Sequence, residues 1–138
     1  MDKSHFIGGV FETYDERLLE SRLTEEGNVC GCLLNDLTLY DDCGLSPKDF
    51  VTQSGRMLFS LGKQIRDKKY HTFDEITFIS HANEELRDRI NEEFGGFKQI
   101  QNVMDAVSLK NYDTFLDDLN KSNIILSLHR KNFNLLEE

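Results

Sequence analysis

Histidines and carboxylates are the side chains of this sequence that could together bind a metal ion. His81 lies four residues before Glu85, and His71 lies three and four residues before Asp74 and Glu75. Zinc sites in proteins use three or four protein ligands, and two potential ligands in each group do not make such a site. We therefore predict solvated helix faces at these positions and no metal site.

Adjacent carboxylates and closely spaced cysteines are the next candidates for chemistry. In the pairs Asp41-Asp42 and Asp117-Asp118, neighbouring side chains diverge by about 100° on a helix, so neither pair forms a catalytic dyad by itself. Cys30 and Cys32 point about 200° apart on a helix for the same reason, and we expect them and Cys43 to be small apolar core residues. No serine or cysteine has a nearby histidine in a recognisable nucleophile motif. We predict no catalytic residues.

A phosphate-binding loop is the motif that would indicate nucleotide hydrolysis. Gly62-Lys63 is the only Gly-Lys pair of the sequence. The motif G-x-x-x-x-G-K-[ST] requires glycine and a hydroxyl residue where this chain has Met57 and Gln64. We therefore predict that this polypeptide is not an enzyme and binds no cofactor.

Charge and hydropathy restrict the possible partners and the location. The chain has 138 residues, a formal net charge of −9, and lysines and arginines scattered among carboxylates. Tight sequence-independent DNA binding needs clustered cations, so we expect no strong DNA binding. No apolar run approaches the ~20 residues that span a membrane, and the first residues lack the layout of a signal peptide. We expect a cytoplasmic protein of a bacterium or of a phage-infected host cell.

Helix start and stop signals recur along the chain. Thr24 before two glutamates, Ser46-Pro47, and Thr72 with Glu75 three residues later are all typical of helix N-termini. Gly44 and Gly95-Gly96 are typical of helix ends. The apolar residues between these signals recur at three- and four-residue spacing, which places Ile76 and Ile79 on a buried face. The sequence predicts an all-α fold.

The spacing of these signals divides the chain into three parts. We expect residues 1–22 to be an N-terminal extension that is partly ordered or packed against the domain, and residues 23–107 to be a compact helical globule. Residues 108–138 contain no glycine or proline and predict one long C-terminal helix. A helix of that length cannot lie wholly against a small core, so we expect part of it to expose apolar residues.

Several short motifs, in this order and spacing, resemble the N-terminal domain of DnaB-type replicative DNA helicases. Their order is more specific than any one of them, because each consists largely of helix ends and core positions. They are LTEE at 23–26, VCGCLLND at 29–36, LYDDC at 39–43, LSPKDF at 45–50, RMLFSL at 56–61, TFDEITF at 72–78, FGGF at 94–97 and NYDTFLDDL at 111–119.

The resemblance implies a non-catalytic domain for oligomerisation and docking. In that family a helical globule is followed by a helical hairpin, hairpins pair two subunits, and three dimers form a collar that docks primase or a helicase loader. The long C-terminal helix would here be the first arm of the hairpin, which makes this chain a fragment, and its divergence indicates a bacteriophage helicase. Self-association would then fall on Ile124, Ile125, Leu128, Phe133 and Leu136.

Other interpretations of the same sequence remain open. The apolar residues from 124 to 136 either pack back on the first helices or face a second copy. The chain could also be a free-standing all-helical protein that mimics this domain to recruit or inhibit a replication partner. A general nucleic-acid binder is a third possibility, against which the net charge of −9 counts.

Overall fold

The computed structural model describes the backbone of residues 16–137 and the side chains of residues 17–128. Within the described backbone there are helices and connecting turns but no strand, which confirms the all-α prediction. In the described part of the chain, three short 3-10 helices span Leu37–Asp41, Pro47–Asp49 and Leu109–Asn111. The six α-helices of residues 16–137 are α1 Glu16–Asn35, α2 Gln53–Asp67, α3 Glu75–His81, α4 Glu84–Glu93, α5 Gly96–Asp105 and α6 Tyr112–Glu137.

Helix α1 begins earlier than the sequence predicts. It starts at Glu16 and continues through Thr24, so the predicted N-terminus at Thr24 is wrong, and the helix begins inside the stretch assigned to the N-terminal extension. The reason is tertiary. Leu19 is buried in a small cluster with Val51 and Leu126, and this packing stabilises the first turns of α1. The first fifteen residues of the extension lie outside the described residues.

The predicted helix start at Ser46-Pro47 is confirmed. At the 3-10 helix before it, the Asp36 carboxylate accepts a hydrogen bond from the backbone N–H of Thr38. Ser46 precedes Pro47 at the second 3-10 helix, where the Asp49 carboxylate accepts from the Ser46 N–H at 2.8 Å. At the start of α2, the Thr52 hydroxyl accepts a hydrogen bond from the Gly55 N–H at 3.0 Å. These signals are local hydrogen bonds, which is why they can be predicted from the sequence.

Helix α3 starts two residues later than predicted. Asp74, not Thr72, is its N-cap, and the Asp74 carboxylate accepts a hydrogen bond from the Thr77 N–H at 2.9 Å. Phe73 therefore lies outside the helix, where its ring packs against Phe78 and Phe97. The buried residues of α3 are Thr77 and Phe78.

Helix α1 is the centre of the core. It packs against α2, α5 and α6, and at Gly31 the approach to α5 is so close that a Cβ atom would lie 2.8 Å from the Val103 carbonyl oxygen. Gly95, at φ +110°, joins α4 to α5. The main core consists of apolar side chains from every α-helix, among them Val29, Leu33, Leu37, Phe50, Phe59, Leu61, Ile65, Phe78, Ile90, Ile100 and Leu119.

Helix α6 confirms the predicted long C-terminal helix. It runs for 26 residues, from Tyr112 to Glu137, directly after the 3-10 turn at Leu109–Asn111. Its first half contributes Leu119 to the main core, and Leu126 is buried farther along the helix. The described part of α6 therefore contacts the globule with one side only.

Candidate self-association surface

Helices α1 and α6 form an antiparallel pair. Leu19 near the start of α1 clusters with Leu126, and the Arg22 guanidinium donates to the Ser122 hydroxyl at 3.0 Å. Near the opposite end of α1, the Cys32 thiol lies 3.9 Å from the carbonyl oxygen of Ser108, just before α6. The two helices therefore run in opposite directions. The α6 residues that make these contacts define the side of α6 that faces the globule.

A buried ion pair joins this helix pair to the rest of the domain. The side chains of Arg22 and Glu26, one turn apart on α1, are 2% and 1% exposed, and Arg22 Nη2 lies 2.7 Å from Glu26 Oε2. Arg22 also donates to the carbonyl oxygen of Asp49 at 3.0 Å. A buried charge needs such a full set of partners. Through Arg22, α1 is connected to α6 and to the segment before α2.

The Glu26 carboxylate completes the connection to α2. It accepts hydrogen bonds from the backbone N–H groups of Val51 and Thr52, at 2.9 and 3.1 Å, and from the Thr52 hydroxyl at 2.5 Å. Burial raises the pKa of Glu26 above its usual value, which outweighs the lowering effects of Arg22, Thr52 and Val51. Thr52 is also the N-cap of α2, so one carboxylate holds the start of α2 against α1.

Glu25 lies at the rim of the same junction. Burial raises the pKa of its carboxyl group, Ser122 and Arg22 lower it, and the Asp118 carboxylate on α6 raises it. Acidic side chains from both helices thus lie close to Arg22, which makes this part of the α1–α6 contact polar. The contact becomes apolar toward Leu126.

The outward side of α6 exposes large apolar residues. Ile124, Ile125 and Leu128 are 61%, 66% and 55% exposed, whereas Leu126 among them is 6% exposed. Successive residues of a helix are about 100° apart, so Ile124, Ile125 and Leu128 lie within about 100° of one another, on the side of α6 opposite Leu126. The side with Leu126 contacts the globule, and the side with the other three faces solvent. We call Ile124, Ile125 and Leu128 the outward face of α6.

The structure brings together three of the five residues predicted for self-association. Leu128 follows Ile124 by four positions and Ile125 by three, so the three side chains are neighbours on the helix surface. The side chains of Phe133 and Leu136 lie outside the described residues. Of the two alternatives left open by the sequence, packing on the first helices holds for Leu126 and exposure holds for the outward face.

A second pair of exposed apolar residues lies on α3 and contradicts the sequence analysis. Ile76 and Ile79 are 72% and 57% exposed, although their spacing predicts a buried face. The spacing shows that Ile76 and Ile79 share a face, but the buried residues of α3 are Thr77 and Phe78. The Asp74-to-Thr77 capping box is the signal in the sequence that would have found the correct helix start.

The histidines considered as metal ligands, His71 and His81, contact neighbouring side chains. His71 Nδ1 lies 3.1 Å from Arg66 Nη1, and His81 Nε2 lies 2.8 Å from the Tyr70 hydroxyl. Among the described residues, no group of three histidine, cysteine or acidic side chains could hold a metal ion.

The three cysteines are buried and unpaired by disulfides, as predicted for core residues. Burial raises the pKa of the Cys30 thiol well above its usual value, and burial likewise raises the pKa of Cys32. The reactive form of cysteine is the thiolate, which burial disfavours at these two positions.

Comparison with known proteins does not identify a relative. No family model, no curated protein and no solved structure matches this chain. None of the described helices is long and apolar enough to cross a membrane.

Proposed function

We propose that this chain is a non-catalytic assembly domain that pairs with a second copy of itself through α6. The observation that carries the proposal is the outward face of α6, which exposes Ile124, Ile125 and Leu128 beside the buried Leu126. A monomer gains nothing from three large apolar side chains in water. A second copy of the same helix offers an apolar surface of matching size and, by two-fold symmetry, of the same composition.

The energetics indicate that the outward face contributes to pairing without sufficing for it. Burying one large apolar side chain contributes about 1.5–3 kcal/mol, and association costs about 4–15 kcal/mol in lost translational and rotational freedom. Three side chains on each copy, each a little more than half exposed, therefore contribute roughly 5–11 kcal/mol when buried, which offsets much of that range but not its upper end. Further apolar residues of α6 are required, and the sequence supplies Phe133 and Leu136 in the last two turns.

We propose further that the parent protein is a hexameric replicative DNA helicase, in which this domain forms part of a collar and docks primase or a helicase loader. Two features support this role. The sequence motifs resemble the N-terminal domain of DnaB-type helicases, and the all-α globule followed by a long helix has the arrangement that the resemblance implies. The coding sequence beyond codon 138 tests the role. A downstream G-x-x-x-x-G-K-[ST] motif is expected, whereas a stop codon would favour the free-standing protein instead.

Self-association is tested by sedimentation of the parent chain and of the double variant Ile125→Asp/Leu128→Asp. The parent chain should form dimers that dissociate on dilution, and the variant should remain monomeric, because two carboxylates would be buried without partners in the interface. Both substituted positions are exposed in the single chain, so circular dichroism should show unchanged helix content.

A matched control is available on α3. The variant Ile76→Asp/Ile79→Asp introduces the same charges at two other exposed isoleucines, and it should sediment like the parent chain. A parent chain that stays monomeric at high concentration would contradict the proposal. So would a control variant that dissociates the dimer as well as the α6 variant does.

A further inference from the structure

Helix α3 holds a pair of isoleucines in solvent. Ile76 and Ile79 are 72% and 57% exposed, and residues three apart on a helix are neighbours on its surface. Thr77 and Phe78 bury the opposite side of α3 in the domain. The two isoleucines therefore cannot turn inward while the helix stays folded, and they form a small apolar surface of fixed orientation.

Two cations lie against the C-terminal end of the same helix. Arg87 donates to the Ile79 carbonyl oxygen and Lys68 donates to the His81 carbonyl oxygen, each at 2.6 Å. Each of these hydrogen bonds uses one of several N–H groups of the side chain. Of the residues that the structure describes, no carboxylate forms an ion pair with Arg87, with Lys68 or with its neighbour Lys69. We call Lys68, Lys69 and Arg87 the cationic corner.

The end of α2 concentrates positive charge in a chain whose net charge is −9. Residues 63–69 include four lysines or arginines and a single acidic residue. The Asp41 carboxylate contacts this segment through its ion pair with Arg66 at 2.6 Å. The hydrogen bond from Arg66 lowers the pKa of the Asp41 carboxyl, and the positive charges of Lys69 and Lys63 lower it too. Several cations of this segment therefore stabilise a carboxylate that lies beside it.

Lys69 occupies a backbone conformation that favours glycine. Its φ is +74°, and it directly follows Lys68, the C-cap of α2, where helices commonly have glycine. A lysine in this conformation is less favourable for the fold than a glycine. Stability therefore does not explain the lysine, whereas binding of an acidic partner does.

We propose that Ile76, Ile79 and the cationic corner together form a docking surface for an acidic amphipathic segment of a partner protein. Apolar side chains of the segment cover the two isoleucines, and its carboxylates pair with the cationic corner. A phosphate backbone would match the cations but has no apolar groups for the isoleucines, so a protein segment fits better. This inference deepens the docking role in the proposed function and rests on it, but it does not require pairing through α6.

The surrounding acidic residues orient the segment on this surface. Glu75 lies in the first turn of α3, and Glu84 and Glu85 lie in the first turn of α4. Carboxylates of the partner placed beside these residues would be repelled. The acidic end of the segment therefore lies toward Lys68 and Lys69, and its apolar side chains lie on the isoleucines.

The first experiment selects a probe from a library of helical peptides. Amphipathic peptides with randomised polar positions are displayed on phage, selected on the full chain and counter-selected on the variant Ile76→Ser/Ile79→Ser. Both substituted positions are exposed, so circular dichroism of the variant should match that of the parent chain. The surviving peptides should have more aspartate and glutamate than lysine and arginine. Survivors without this acidic excess, or no survivors, would overturn the proposal.

The second experiment measures binding of the most enriched acidic peptide by fluorescence anisotropy. In Lys68→Gln/Lys69→Gly, glutamine keeps a donor for the His81 carbonyl oxygen and glycine suits the positive φ, so thermal unfolding should not occur at a lower temperature. The affinity should nevertheless fall about threefold or more, since two exposed ion pairs are lost. Lys110→Gln/Lys121→Gln removes the same charge elsewhere and should bind like the parent chain. Equal affinities of the parent chain and the Lys68→Gln/Lys69→Gly variant would refute the role of the cationic corner.

A third comparison separates docking from pairing through α6. The variant Ile125→Ser/Leu128→Ser should bind the acidic peptide with the affinity of the parent chain. If it does so while the parent chain never dimerises in sedimentation, docking on α3 stands and pairing fails. If the parent chain dimerises but the α6 variant loses the peptide as the α3 variant does, docking on α3 is refuted. A single-stranded oligonucleotide that displaces the peptide at comparable concentration would overturn the choice of a protein partner.

Discussion

Two side chains, Arg22 and Glu26, determine how three parts of the domain meet. Arg22 contacts the Ser122 hydroxyl on α6 and the Asp49 carbonyl oxygen, and Glu26 accepts hydrogen bonds at the start of α2. Removal of one partner from a buried ion pair leaves an uncompensated charge, which typically costs about 3–5 kcal/mol. Because neither charge has room to move toward solvent, the pair holds α1, α2 and α6 in one arrangement.

The same carboxylate explains why residue 55 is glycine. A Cβ atom at Gly55 would collide with Glu26 Oε1 and lie 2.8 Å from Thr52 Oγ1. Gly55→Ala should therefore displace the carboxylate and lower the free energy of unfolding by about 2–4 kcal/mol, since a hydrogen bond to a charged group is worth roughly 1.5–3 kcal/mol. Urea unfolding followed by circular dichroism measures the change.

Gly27→Ala is the matched control for this prediction. Gly27 lies in α1, one residue after Glu26, and a Cβ atom there meets nothing within 4 Å. The substitution should raise the free energy of unfolding by about 0.5–1 kcal/mol, because alanine loses less conformational entropy in a helix than glycine does. Similar destabilisation by the two alanines would show that the Glu26 carboxylate does not constrain position 55.

At the scale of the element, α3 and α6 each combine a buried face with an exposed apolar one. Helix α3 buries Phe78 against Phe73 and Phe97. Its last turn is held by Arg87, which donates to the Ile79 carbonyl oxygen at 2.6 Å, and by Lys68, which donates to that of His81 at 2.6 Å. A seven-residue helix is too short to be stable alone, so these contacts maintain it.

Adjacent residues of α3 should respond to substitution in opposite ways. Phe78→Ala removes a buried ring and should lower the free energy of unfolding by about 3–5 kcal/mol. Ile79→Ser changes a side chain that is 57% exposed, and it should change the free energy of unfolding by no more than about 0.5 kcal/mol. Thermal and urea unfolding of the two variants measure the difference. A large loss of stability in Ile79→Ser would mean that the helix buries the face predicted from spacing alone.

At the scale of the whole molecule, the net negative charge is unfavourable for binding to a phosphate backbone. The net charge is −9, and among the described residues five lysine or arginine side chains are in ion pairs, such as Arg66 with Asp41 at 2.6 Å and Lys121 with Asp117 at 2.8 Å. Paired cations displace few counterions from a phosphate backbone. A partner that docks on this domain is therefore expected to be a protein.

Binding to single-stranded or duplex DNA should accordingly be weak. We expect a dissociation constant above about 1 μM at physiological ionic strength, with binding that decreases further as salt is added. Fluorescence anisotropy with labelled oligonucleotides across a salt series tests this expectation, and heparin serves as a competing polyanion. A submicromolar dissociation constant at physiological salt would indicate a cationic surface and would favour the hypothesis that this protein binds nucleic acid.

The sequence by itself determined the fold class and some of the helix bounds. The caps at Asp36, Ser46 and Thr52 are hydrogen bonds between residues two or three positions apart, and α2 buries its apolar stripe as its spacing predicts. The long α6 was predictable for a similar reason, because nothing between residues 108 and 138 interrupts a helix. Such features depend on neighbours in the sequence and need no knowledge of the tertiary arrangement.

Only the tertiary structure decided which apolar residues remain exposed and where α1 begins. Leu126 and Ile125 are adjacent and equally hydrophobic, yet one is buried and the other exposed, because the Arg22–Ser122 contact fixes the rotation of α6 against α1. Leu19 extends α1 because Val51 and Leu126 approach it from distant parts of the chain. Burial is a property of the assembled helices, and spacing in the sequence shows which residues share a face without showing what that face meets.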